Sequence, residues 1–240
     1  MIYLDNAATT AVSRPVLDAM LPYFTQTFGN PNSVHEAGSQ ADWAVTQARA
    51  RMAKALNCAP RQVEFTSGGT ESDNQALLTG AVRGAQAGKR HIVSSAIEHP
   101  AVLRMLERLQ AHGFAVTLVS PNAEGVVSAE SLEAAIRPDT CLVSLMWVNN
   151  EVGSVQPVAE AARLCRERGI LFHTDAVQAA GALPLDCRVL DADLISLSAH
   201  KFHGPKGVGA LVVRDSLEPA SLLVGGEQER GHRAGTLNVP

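Results

Sequence analysis

The chain has 240 residues, 46% of them hydrophobic and 18% charged, with a formal net charge of −4. That is enough apolar material for one large core or two small ones, and a slight acidic excess with scattered basic residues argues against a nucleic-acid-binding footprint. The longest apolar runs fall short of the roughly 18–20 residues that cross a bilayer, and Met1-Ile2-Tyr3-Leu4-Asp5 lacks the regions of an export signal, so a cytoplasmic protein without a membrane partner is expected.

Along the chain, short β-branched runs alternate with longer helical patterns. The expected strands are Gln62–Phe65, His91–Ser94, Ala115–Val119, Cys141–Leu145, Ile170–His173, Leu194–Leu197 and Gly209–Val213. Helical spacing is read over Ser39–Leu56, Thr70–Ala85, Pro100–His112, Ala129–Ile136 and Val158–Arg168, with Ser128 as an N-cap signal and Gly113 and Gly169 as C-cap signals. This alternation predicts an α/β fold, a mostly parallel sheet sandwiched by helices, with ligands bound beyond the carboxyl ends of the strands. Cys58, Cys141, Cys165 and Cys187 show no CxxC spacing and read as core or helix-face thiols. No metal-ligand set is read. The chain reaches Thr236-Leu237-Asn238-Val239-Pro240 directly after a Gly-rich polar loop, which reads as a fold ending midway.

The unusual residues gather at the strand ends. Thr66-Ser67-Gly68-Gly69-Thr70 turns from a strand into a helix and presents bare backbone N–H groups at a positive dipole end, either a phosphate cup or an ordinary cap. His99, before Pro100, is placed to stack on a planar cofactor or move protons, or simply to cap the helix. Asn149-Asn150-Glu151 suits a hydrogen-bonding corner or an Asn-rich turn. Asp175 leaves a buried strand, which is costly unless it is paired. A protonated pyridine nitrogen or backbone amides would serve, and Gln178 three residues on can reach a ring oxygen. Lys201, one of only four lysines, follows the strand Leu194–Leu197 within Ser198-Ala199-His200-Lys201. A lysine whose pKa is lowered by burial suits Schiff-base chemistry with an aldehyde, and a solvated loop lysine is the ordinary alternative. Together, a phosphate cup, a stacking His, an Asp and a Lys are the parts a pyridoxal 5'-phosphate (PLP) site requires.

These segments, with Tyr3-Leu4-Asp5-Asn6-Ala7-Ala8-Thr9-Thr10, Phe28-Gly29-Asn30-Pro31, Glu98-His99-Pro100-Ala101-Val102, His173-Thr174-Asp175-Ala176-Val177-Gln178 and Gly226-Glu227-Gln228-Glu229-Arg230-Gly231-His232-Arg233-Ala234-Gly235-Thr236, run in order from end to end. The chain thereby resembles the NifS/IscS-type cysteine desulfurases, PLP enzymes of the class V aminotransferase group and fold type I. The resemblance implies that residues 1–240 are the PLP-binding large domain. Residues 1–15 would form an N-terminal arm toward a small C-terminal domain that this stretch lacks. It implies Lys201 as the aldehyde anchor and proton shuttle, and His99 as the ring-stacking acid/base. Asp175 would partner the pyridine nitrogen, with Gln178 and Asn150 near the ring oxygen and Asn150 also facing substrate. Gly69, Thr70, Ser198 and His200 would hold the phosphate. Thr236 would reach the phosphate of a neighbouring subunit, hence a homodimer, and Lys206 would be structural.

The implied activity is conversion of L-cysteine to L-alanine, with sulfur passed to an acceptor protein for iron–sulfur cluster assembly or thiolation. One departure stands out. The Ser/Gly/Ala-rich loop ending in the sulfur-accepting cysteine is absent, as is the arginine for the substrate carboxylate, so this stretch is expected to be inactive alone. Another class V lyase or aminotransferase, such as a selenocysteine lyase, and a non-catalytic remnant of the fold are the competing readings.

Overall fold

The computed structural model describes residues 2–240. Seven strands are formed: β1 Val63–Thr66, β2 His91–Ser95, β3 Ala115–Val119, β4 Thr140–Ser144, β5 Leu171–Asp175, β6 Leu194–Ser198 and β7 Gly209–Val213. They make one sheet in the order β1-β7-β6-β5-β4-β2-β3. β7 runs antiparallel to both of its neighbours, and the β6-β5-β4-β2-β3 pairings are all parallel. Each expected strand is present, with ends displaced by no more than two residues.

Seven helices accompany the sheet: α1 Arg14–Thr25, α2 Glu36–Ala55, α3 Gly69–Gln86, α4 Pro100–Ala111, α5 Ala129–Ala135, α6 Val158–Glu167 and α7 Cys187–Leu190. The side chains of β2 and β4 alternate between two cores, as the period of two in a strand requires. Ile92 and Leu142 face α3 and α4, where they meet Leu77, Val102, Met105 and Leu106. Val93 and Val143 face the opposite layer with Phe172, Leu132, Val158 and Ala161. β2, β4, β6 and β7 are fully buried on both faces, which explains their near-continuous apolar sequences, whereas the edge strand β3 is only half-buried.

α3 is the helix that sets the site. It packs across β4, β5, β6 and β7, and it begins directly after β1. Close approach is required where the sheet meets this turn: a Cβ at Gly209 would stand 2.6 Å from the Cα of Gly68.

Two elements were not expected from the sequence. α1 contains Pro22 in its interior, a residue that ordinarily ends a helix, and none of its residues is buried. α7 is a single turn capped by the Asp186 side chain, which accepts from the Arg188 N–H. The Gly226–Thr236 stretch folds back onto β1. Glu229 is buried, accepts from the Phe65 N–H at 2.9 Å and pairs with Arg49 at 2.5 Å. Arg49 also donates to the Val63 carbonyl at 2.5 Å. Arg230 and His232 both donate to Glu64, at 2.5 and 2.9 Å. Glu229 and Arg230 sit at φ of 46° and 59°, a left-handed pair of non-glycine residues that these ion pairs hold in place.

Candidate active site

A cavity of about 240 Å³ opens at the carboxyl ends of β1, β2, β4, β5 and β6. It is lined by Gly69, Thr70, His99, Asn150, Asp175, Gln178, Ser198, His200 and Lys201, together with Ala8, Asp73, Met146 and Val177. Nine of the ten site residues expected from the sequence therefore converge on one space. The tenth, Thr236, is exposed and lies outside the lining of its own chain's cavity.

Each wall has a local cause. Gly69 opens α3, so the cavity meets bare helix N-terminus, and a Cβ there would come within 2.7 Å of Val177 Cγ2. The Ser72 hydroxyl donates back to the Gly68 carbonyl and fixes the turn. His99 is the N-cap of α4, its Nδ1 accepting from the Ala101 N–H at 3.1 Å, while the ring lines the cavity. The cap and the functional position are the same residue, so the two sequence readings are not exclusive. The asparagine pair divides its work. Asn149 builds the corner, donating to the Ile97 carbonyl at 2.8 Å and accepting from the Glu151 and Val152 amides, and this leaves Asn150 on the cavity.

Asp175 ends β5 and is 5% exposed. Its Oδ1 accepts from the Val177 N–H at 2.9 Å. Burial raises its pKa, and the Val177 amide and the charges of His99 and Lys201 oppose that rise. Lys201 follows β6 in a short 3-10 turn. Burial lowers the pKa of its amine, partly offset by the carboxylates of Asp175 and Asp5. The amine donates to the Ala7 carbonyl, which also accepts from Gln178 at 2.8 Å. The N-terminal segment is thus laid over the site. Thr10 N–H donates to the His200 carbonyl at 2.8 Å, and Thr9 Oγ1 is hydrogen-bonded to His200 Nδ1 at 3.0 Å.

Sequence reading missed Asp73. It is fully buried on α3, one turn beyond Gly69, and reaches the cavity floor. The i,i+4 spacing from Gly69 puts both residues on one helix face, which was the available signal. None of the four cysteines lines the cavity. Burial raises the Cys141 thiol and pushes Cys165 up to about 12.

The doubly covered sheet and its strand-end cavity define a class of protein, and comparison with known proteins assigns it: the chain belongs to the aminotransferase class-V family, which it matches over residues 2–240. Within that family it is 49% identical over 239 residues to "Cysteine desulfurase IscS" of Methanosarcina thermophila, and 47% identical to "Putative cysteine desulfurase IscS 1" of Bacillus subtilis. The whole chain is matched in both cases, but it spans only 59% and 63% of those relatives' lengths. Among solved structures, "SspA in complex with cysteine" superposes with a TM-score of 0.96 at 41% identity, covering 100% of this chain and 69% of that one. A "NIFS-LIKE PROTEIN" also reaches 0.96, at 44% identity, covering 99% and 66%.

The residues of the cavity fit pyridoxal 5'-phosphate. A bare helix N-terminus with Thr70, Ser198 and His200 suits a phosphate. A buried carboxylate suits a ring nitrogen that carries a proton, and an amine of lowered pKa suits an aldehyde. No helix among the described residues is long and apolar enough to cross a membrane.

Proposed function

We propose that residues 1–240 form the PLP-binding large domain of a cysteine desulfurase, a cytoplasmic homodimer that converts L-cysteine to L-alanine and passes the sulfur to an acceptor protein. The observation that carries this reading is the convergence of Lys201 and Asp175 on one strand-end cavity. The relatives named cysteine desulfurase and the cysteine complex of the similar SspA structure support the substrate.

When bound, the cofactor supplies an electron sink that labilises bonds at the substrate Cα. The chain's own residues do the rest. Gly69, Thr70, Ser198 and His200 bind the phosphate with backbone and side-chain donors. Asp175 holds a proton on the ring nitrogen, and Gln178 and Asn150 orient the ring oxygen. His99 covers the ring and moves protons. Lys201 would hold the aldehyde carbon until the substrate amine displaces it, and the freed lysine amine would then take and return the proton at the substrate Cα. Thr236, exposed in its own chain, is available to the phosphate in a neighbouring subunit. The sulfur-accepting thiol is not among the cavity residues here, so transfer to an acceptor requires a cysteine from elsewhere.

The test is to add PLP to the purified chain, follow its visible absorption, and measure alanine and sulfide release from cysteine. A visible band with little or no desulfuration by these 240 residues is expected. No band, or vigorous persulfide transfer by the chain alone, overturns the reading.

A further inference from the structure

Asp73 and Asp175 line the cavity, and Glu98 stands behind its wall, holding the Met146 amide. Asp73 is 1% exposed, and Glu98 and Asp175 are each 5% exposed. Of the three, only Asp175 has basic side chains bearing on it, Lys201 and His99. Asp73 faces Asp175 and His173 of β5, Ser196 of β6, and Glu98. Its Oδ1 makes no hydrogen bond, and the nearest basic atom, His173 Nε2, stands 3.6 Å away. His173 is itself fully buried between the Ser144 and Ser196 hydroxyls, each at 2.9 Å, and burial takes its pKa down to about 3, so it carries no charge. Glu98 receives the Ser95 hydroxyl at 2.7 Å and the Met146 N–H at 2.9 Å on Oε1, while Oε2 has no partner.

Three ionised carboxylates this dry, each within reach of the others' charge, cannot coexist without compensation. Glu98 has hydrogen-bond donors but no basic side chain bearing on it, so the negative charge settles at Asp175, where Lys201 offsets it. We propose that Asp73 and Glu98 are proton-holding positioning residues, two neutral acids beneath Asp175 that leave it the sole anion of the cavity floor. This rests on the reading of Asp175 as the partner of a cationic ring nitrogen, and it adds the reason why that carboxylate keeps its charge. Burial raises Glu98 to about 8, and burial with the Asp175 charge lifts Asp73 well above the usual carboxylate range. Charge on either acid would repel Asp175 and shift its proton equilibrium the wrong way.

The experiment is infrared spectroscopy of the protonated-carboxyl stretch in the cofactor-free chain near neutral pH. It compares the parent with the near-isosteric Asp73→Asn, Glu98→Gln and Asp175→Asn variants. One protonated-acid band is expected to vanish in Asp73→Asn and one in Glu98→Gln, with none lost in Asp175→Asn. In the parent, which needs no substitution to fold, raising the pH through about 8 should remove the Glu98 band. Retention of the full set of bands in Asp73→Asn or Glu98→Gln, or loss in Asp175→Asn of a band that both of those variants keep, overturns the proposal. PLP is then added to each variant. The visible band should titrate in the parent with a step near 8 that Glu98→Gln lacks, and Asp73→Asn should leave its neutral-pH position unmoved. A missing visible band with the infrared pattern intact refutes the cofactor reading alone. A visible band without that pattern refutes the neutral-acid floor alone.

Discussion

The amine of Lys201 donates to the main-chain carbonyl of Ala7, a residue 194 positions earlier that also accepts from Gln178. One carbonyl from the N-terminal segment therefore joins the residue proposed to hold the aldehyde to the one proposed to orient the ring. To react, the amine must leave that carbonyl. Lys201→Ala should abolish the visible band that PLP gives with the parent chain. In the complete protein it should lower turnover at least 10²–10⁴-fold, the usual contribution of a positioned acid/base. Absorption spectra and alanine release check both.

The pH dependence of that amine has a fixed sign. Burial lowers its pKa, so the reactive neutral form appears at a pH below the ordinary lysine value of about 10.4. Asp175 pulls the other way, favouring the ammonium form. Asp175→Asn should therefore move the midpoint of PLP capture to still lower pH while weakening the ring contact. Rates of band formation across a pH series in both chains decide it, and an upward move in the variant contradicts the assignment.

The clamp on β1 should carry measurable stability. Arg49 and Glu229 have side chains only 15% and 0% exposed, and removing one partner of such a pair typically costs about 3–5 kcal/mol. Glu229→Gln should lower the urea midpoint accordingly. Burial would raise the Glu229 pKa, but the hydrogen bond and charge of Arg49 and the Phe65 amide outweigh it and bring it below the usual value. Its contribution is thus complete above the ordinary glutamate value of about 4.3 and is lost as pH falls through the lower folded value. Urea unfolding followed downward from neutral pH should show this loss in the parent and not in the variant.

Glu98 acts with the opposite sign. Its folded pKa rises from 4.5 to about 8, so its contribution is full below the unfolded value and fades as pH climbs to the folded one. The expected slope over that window is about 1.4 kcal/mol per pH unit for one proton. Stability of Glu98→Gln should not carry this slope, and urea titrations on both chains test it.

Much of this is legible in the sequence itself. β2, β4, β6 and β7 announce themselves because both faces of the sheet are covered there, so each is a mainly apolar run bounded by polar turns. The site was legible for a related reason: in a mostly parallel sheet the polar residues that interrupt such runs fall at one end, as Asp175, Ser198 and His99 do. α1 was not legible, because Pro22 interrupts it and no buried stripe marks its face in this chain. Asp73 sat inside a helical pattern where an acid reads as a solvated face, and only the packing of α3 over β5 and β6 shows that it is dry. The Glu229 clamp joins residues 180 and 164 positions apart, a distance over which no local pattern speaks.

β1 is the outermost strand on its side of the sheet and hydrogen-bonds to β7 alone. A strand in that position ordinarily offers a row of open amides and carbonyls to any other extended chain. Here the Phe65 amide is filled by the Glu229 carboxylate, and the Val63 carbonyl by the guanidinium groups of Arg49 and Arg230. Charged side chains stand in for an eighth strand without being one. The margin of the sheet is sealed against recruitment of foreign β-structure, and the residues that seal it are soluble ions rather than another surface that would itself need covering.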